Sequence, residues 1–208
     1  MTETPRIYVA CLASYNNGVL HGEWIDATDA DDMAAAVADM LRESPYPNVE
    51  VDCPAVALCP FGTYTDGTRS PCPTCNGTGK VASAEEFAIH DYVGFHGVTI
   101  GEYESLDTVA ELAQLIEYHG PAYAAFRDYI GADYATAAQF EEDYAGEYDS
   151  EEAYGEELYD DCCEPLPDGH PLKPYISHSI EAWTRDLFLT DYRSAPAVDG
   201  GVYVFRNS

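Results

Sequence analysis

Two sets of side chains in this sequence have the types and spacing to do chemistry: a run of carboxylates without countercharge, and cysteines set among tight turns. From Asp128 to Leu172 there is no Lys or Arg, while the same stretch carries Asp128, Asp133, Glu141, Glu142, Asp143, Glu147, Asp149, Glu151, Glu152, Glu156, Glu157, Asp160, Asp161, Glu164 and Asp168. Such a run attracts cations or a basic partner and repels anions. Eleven of these acids fall within residues 141–161. If that stretch is mostly helical, at about 1.5 Å rise per residue it presents one negative charge per roughly 3 Å. A DNA strand presents one phosphate per about 3.4 Å. Tyr144, Tyr148, Tyr154, Leu158 and Tyr159 are interleaved with the acids, giving the stretch apolar surface that a disordered acidic tail lacks.

The second set lies in residues 48–81, which hold Cys53, Cys59, Cys72 and Cys75 among Gly and Pro residues. Cys72-Pro-Thr-Cys75-Asn-Gly-Thr-Gly79 is a CxxCxGxG unit, and it resembles the repeats of the zinc-binding region in the DnaJ chaperone family. A CxxC turn suits Zn²⁺ because it aims two thiolates and several backbone N–H groups at one point. Cys53 and Cys59 are the candidates for the remaining two positions, at a looser spacing. Four thiolates leave no open position for substrate, so the expected ion is structural, not catalytic. A lost site and plain thiols stay open as alternatives. The vicinal pair Cys162 and Cys163 reads as partly buried thiols.

These residues need elements to position them. Asp149 as N-cap, with Glu152 three residues on, predicts a helix over 150–161. At 100° per residue, Tyr154, Leu158 and Cys162 form its apolar stripe, with Glu152, Glu156 and Asp160 in one outer row and Glu157 and Asp161 in another. Acids four residues apart on a helix repel by about 0.2–0.5 kcal/mol per pair, so stability alone does not account for them. Upstream, 6–13 and 19–25 read as strands joined at Asn17-Gly18 as a β-hairpin. Asp29 or Asp31 caps a helix through Met33, Val37 and Leu41. Residues 86–92 and 98–103 read as strands or strand ends. Helices follow after Ser105, then through Phe126, then through Phe140 to Tyr144. A helix over 176–189 and a strand over 202–206 close the chain.

The chain has 208 residues, 38 acids against nine bases, a formal charge of -29 and a pI near 4.1. That balance argues against binding nucleic acid or an anionic membrane and favours a basic partner. At 46% hydrophobic residues the chain can bury a core. No apolar run reaches 18 residues and no signal-peptide core is visible, so a cytoplasmic location is expected, and with it reduced cysteines. The acids at 26–32 lack EF-hand spacing. His90, His96 and His119 have no paired nucleophile, and no catalytic motif is recognisable, so no enzyme activity is expected. The fold class expected is α+β.

Several blocks, in order, resemble the ArdA antirestriction family: Arg6-Ile-Tyr-Val-Ala-Cys-Leu-Ala13, Tyr15-Asn-Asn-Gly18 and His21-Gly-Glu-Trp-Ile-Asp26; Glu86-Phe-Ala-Ile-His-Asp-Tyr92; Glu102-Tyr-Glu-Ser-Leu106; Tyr148-Asp-Ser150 and Tyr154-Gly-Glu-Glu-Leu158; Tyr175-Ile176 and Ala182-Trp-Thr-Arg-Asp-Leu187. The resemblance implies an elongated homodimer of three-domain subunits whose carboxylates imitate the phosphates of bent B-form DNA. Such a protein fills the DNA-binding groove in the methyltransferase core of type I restriction-modification enzymes. It further implies an N-terminal α+β domain over 1–101 with the cysteine segment as an insertion, a helical domain over 102–146, and a C-terminal α+β dimerisation domain over 147–208. Tyr148, Tyr154 and Leu158 then mark the expected dimer interface. The competing readings are a halophile-adapted acidic domain, whose acids would only hold water and ions, and a zinc-stabilised chaperone-like interaction module.

Overall fold

The computed structural model describes residues 4–55, 62–63, 69–70, 72–164 and 166–207. The chain divides into two compact units, one formed by residues 1–94 with 100–114 and the other by 95–99 with 115–208.

In the first unit, strand β1 (Arg6–Cys11) is the middle of an antiparallel sheet between β2 (Gly22–Asp26) and the later strand at residues 87–93. Ile7 faces Ile25 on one side and Tyr92 on the other. The pairing expected for residues 6–25 is present, but the connection is not a two-residue turn. Helix α1 (Leu12–Asn16) intervenes, and Asn17-Gly18 ends it, with Asn17 as C-cap and Gly18 at φ +78. The reason is a buried polar contact: Ser14 Oγ lies 2.9 Å from Ser44 Oγ, and Cys11 Sγ lies 3.2 Å from the same oxygen. These bonds hold α1 down, so the Asn-Gly pair serves as a helix stop.

Helix α2 (Ala30–Arg42) is capped by Asp29, whose carboxylate accepts from the Asp32 N–H at 3.0 Å. Its Met33, Val37, Met40 and Leu41 are buried, and together with Ile7, Val9, Ala10 and Ile25 they form the core of this unit. Strands β3 (Val49–Asp52), β4 (Gly62–Thr63), β5 (Arg69–Ser70) and β6 (Lys80–Ser83) follow, paired β3 with β6 and β4 with β5, before β7 (Phe87–Val93) joins β1. No strand forms over 98–103. Gly94, His96 and Gly97 just upstream all have positive φ, which breaks a ladder, and a single bond from the Ile89 N–H to the Glu102 carbonyl remains. Helix α3 (Leu106–His119) begins in this unit and ends in the second.

The second unit continues with α4 (Pro121–Ile130), α5 (Ala137–Asp143), β8 (Tyr144–Tyr148), α6 (Glu151–Cys162), α7 (Ile176–Thr190), β9 (Tyr192–Pro196) and β10 (Val202–Arg206). β10 lies between β8 and β9, antiparallel to both. Strands β8 and β9 were not expected. Tyr144, assigned to a helix by pattern, is the first residue of β8 because its ring stacks on Phe140 at 4.9 Å and approaches Phe205 of β10 at 5.6 Å. The core is an aromatic cluster of Tyr123, Phe126, Phe140 and Phe205, with centroid separations of 5.5 Å for Tyr123–Phe140, Phe126–Phe140 and Phe126–Phe205. The overall class is α+β, as expected. Among the described residues, no helix is long and apolar enough to cross a membrane.

Candidate acidic interaction surface and cysteine cluster

The acid-rich stretch folds as helix, strand, helix. The charge spacing computed for a continuous helix therefore does not apply, since β8 rises about 3.3 Å per residue. Asp128 on α4, Asp133 in the following turn, Glu141 and Glu142 on α5, Glu147 on β8, and Asp149 before α6 are all exposed. On α6 the same holds for Glu152, Glu156, Glu157, Asp160 and Asp161. Asp143 is a correction: it is 1% exposed and accepts a 2.9 Å bond from Gln139 Nε2, so it belongs to the interior. Glu151 is half-buried and accepts a 2.6 Å bond from Ser194 Oγ, which ties α6 to β9.

Among the described residues, the ion pairs to Lys or Arg are Arg42–Asp39, Lys80–Asp52 and Lys173–Asp168. None of these three reaches an exposed acid between residues 128 and 161. Glu141 has only a distant partner, His119 Nε2 at 4.0 Å. The exposed carboxylates are thus available to an external cation-rich surface, whereas internal pairing would have used their charge.

Helix α6 is capped by Ser150, not Asp149: the Ser150 hydroxyl accepts from the Ala153 N–H at 3.2 Å. The serine is one residue nearer the first turn than the sequence pattern suggested, and it leaves Asp149 exposed. Hydrogen bonds from its own backbone N–H and from Ser150 hold the Glu152 carboxyl below its ordinary pKa. Tyr148 donates its hydroxyl to Glu157 Oε1 at 3.3 Å, and burial, then the Glu157 charge, raises its phenol pKa.

Of the three residues expected at a dimer interface, Tyr148 and Leu158 are half-buried, but Tyr154 is 5% exposed within the single chain. Its ring meets Tyr148 at 4.9 Å, Tyr192 at 5.0 Å and Phe188 at 5.9 Å, so it anchors α6 inside its own unit. Cys162, expected on the apolar stripe, is exposed, and Cys163 is half-buried. The residue that sequence reasoning missed is Gly155. A Cβ there would lie 1.8 Å from Thr184 Oγ1, so α6 and α7 cross at this point with no room for a side chain. A lone glycine inside a helical pattern is the signal that marks such a contact.

The cysteine cluster stands on the β3–β6 hairpin. Cys53 follows β3, and its N–H bonds the Gly79 carbonyl at 3.0 Å. Cys72 and Cys75 begin and end a tight turn closed by Asn76 N–H to the Cys72 carbonyl at 2.7 Å. Asn76 and Gly77 then take positive φ, which sends the chain back so that the Gly79 N–H donates to Cys75 Sγ at 3.3 Å. The sulfur atoms of Cys53, Cys72 and Cys75 all lie within 4.8 Å of one another, and those of Cys53 and Cys72 are 3.8 Å apart. A disulfide requires about 2.05 Å. Thiolates at the vertices of a tetrahedron around zinc, with bonds of about 2.3 Å, stand about 3.8 Å apart. Three buried sulfurs at this spacing can hold a metal ion. Cys59, the fourth expected ligand, lies outside the described residues.

The architecture is that of an acidic α+β protein with a cysteine cluster and with exposed acids on α4, α5, β8 and α6 that have no Lys or Arg partner among the described residues. Residues 7–202 match the family model described as Antirestriction protein (ArdA). The match spans most of the chain, which therefore belongs to the ArdA family, antirestriction proteins that inhibit type I restriction enzymes. A comparison with curated proteins gives no match.

Proposed function

We propose that this protein inhibits type I restriction-modification enzymes by substituting its carboxylates for DNA phosphates in the DNA-binding groove of the methyltransferase core, without catalysing a reaction. The observation that carries this reading is the set of exposed acids on α4, α5, β8 and α6, which among the described residues have no Lys or Arg partner. Lysines and arginines that hold DNA in such a groove would meet these carboxylates instead. Displacing the duplex together with its condensed counterions makes the competition salt-dependent. A protein surface offers charge but no base edges, so discrimination among recognition sequences is weak.

In the same reading the protein acts as a cytoplasmic homodimer of three-domain subunits, with Tyr148 and Leu158 near the dimer contact. The pair then carries a charge of about -58, equal to the phosphates of roughly 29 base pairs. A zinc ion held by Cys53, Cys59, Cys72 and Cys75 serves as a brace remote from any reaction.

The test is competition. Purified protein is titrated against labelled duplex bound to a type I methyltransferase core at two salt concentrations. Displacement that weakens as salt rises is the expected result. A folded protein that displaces no duplex at low salt refutes the reading.

A further inference from the structure

Among the described residues, the side chains at the centre of the cysteine segment are too few and too small to fold it. The buried cluster consists of Cys53, Cys72 and Cys75, with Ala55 and Val81 packed against it as half-buried apolar neighbours. Fixing each backbone residue costs conformational entropy, and small segments without a core depend on metals or disulfides to fold. The β3–β6 ladder adds four residue pairs, Val49↔Ser83 to Asp52↔Lys80. The Lys80–Asp52 ion pair at 2.6 Å is largely exposed and contributes little. By contrast, the β1–β2–β7 sheet and α2 bury their own apolar core, including Ile7, Val9, Ala10, Met33 and Val37.

We infer that the β3–β6 ladder and the 72–79 turn form a metal-folded module: a zinc-class cation held by Cys53, Cys72 and Cys75 supplies the core that the described residues of this segment lack, and losing the ion unfolds this module alone. The inference rests on the zinc reading proposed above. Three thiolates select a soft or borderline cation over Mg²⁺ or Ca²⁺. On binding, each cysteine transfers its thiol proton to solvent as its Sγ–metal bond forms, with no change of oxidation state. The Gly79 N–H directed at Cys75 Sγ stabilises the sulfur in its negative form. The Cys53 N–H to Gly79 carbonyl bond makes the two ends of the site close together, so the same ion that joins the sulfurs also closes the hairpin.

The experiment measures bound zinc and amide hydrogen exchange on the full chain, first loaded with zinc alone and then with the ion removed by a chelator. With free zinc at about 100 times its dissociation constant, exchange at Cys53, Asn76, Thr78 and Gly79 is expected to be about 100-fold slower than without it. Protection at Ile7, Val9 and Ala10 is expected to stay unchanged. Cys72→Ser and Cys75→Ser should show the fast exchange with or without zinc. Bound zinc whose removal leaves those four amides protected overturns the inference and keeps the zinc reading. A chain that binds no zinc overturns both. Loss of protection throughout the β1–β2–β7 sheet overturns the claim that the module unfolds by itself. Because chelation acts on the native chain, the outcome does not depend on whether a cysteine variant folds.

Discussion

Replacing Gly155 by alanine tests how α6 is held in place. On helix propensity alone the change is favourable by about 1 kcal/mol. The crossing with α7 reverses that sign. The new methyl carbon would sit 1.8 Å from Thr184 Oγ1 and 2.7 Å from both Thr184 Cβ and Cγ2. Non-bonded carbons prefer about 3.5–4.0 Å. Rotating Thr184 moves its Oγ1 and Cγ2 but not its Cβ, and this residue is only 3% exposed. The two helices must therefore separate. Overpacking of this kind costs about 1–3 kcal/mol, and the fixed Cβ contact places it at the upper end. After the propensity gain, a net loss of about 2 kcal/mol is expected. Urea unfolding followed by Trp183 fluorescence reads it directly, because Trp183 on α7 meets Tyr159 on α6 at a ring separation of 6.1 Å. Adding Thr184→Ala should recover part of the loss. The hydroxyl removed has no hydrogen-bond partner among the described residues, so its deletion breaks no bond. A Gly155→Ala protein as stable as the parent, or more so, contradicts this account of the crossing. The outcome bears on function, because α6 carries Glu152, Glu156, Glu157, Asp160 and Asp161.

Further outcomes follow from the same geometry. Neutralising Glu152, Glu156 and Asp160 to Gln, Gln and Asn should weaken competition with DNA at low salt and flatten its logarithmic salt dependence by up to about one unit per carboxylate neutralised, whereas Asp143→Asn should alter stability and leave the slope alone. Ser150→Ala removes the α6 cap and should cost about 1 kcal/mol in the same urea assay, with Asp149→Ala costing clearly less. Burial raises the phenol pKa of Tyr144, Tyr148, Tyr154 and Tyr203 above the ordinary 10.0. An acid with a raised folded-state pKa stabilises the fold fully below its unfolded value and loses that contribution as pH rises past it. Alkaline unfolding of the second unit should therefore begin above pH 10, and the tyrosinate absorbance that Tyr154→Phe removes should appear together with loss of structure. A Tyr154 contribution, read as the difference from Tyr154→Phe, that forms well before unfolding would count against a buried phenol.

Properties that are local or compositional were legible in the amino-acid sequence. The charge balance is additive over residues, so -29 and an acidic stretch without Lys or Arg follow from counting. The 3.6-residue pattern predicted α2, α3, α4 and α7, because α2, α3 and α4 each bury a face that repeats along the chain and α7 half-buries Ile180, Trp183 and Leu187 at the same repeat. The CxxC turn was legible because its chemistry lies within a few consecutive residues. Whatever depends on distant partners emerged only on folding. Asn17-Gly18 became a helix stop because Ser44, far along the chain, bonds Ser14. Tyr144 became a strand residue because Phe205 waits beside it in β10. Asp143 left the acidic surface, and Tyr154 is buried within its own unit, because burial is settled by what packs on top of a residue and not by its type. Gly155 gained its importance from Thr184 on another helix. The approach of Cys53 to Cys72 and Cys75 required the pairing of β3 with β6, which brings residues far apart in sequence to within the reach of one ion.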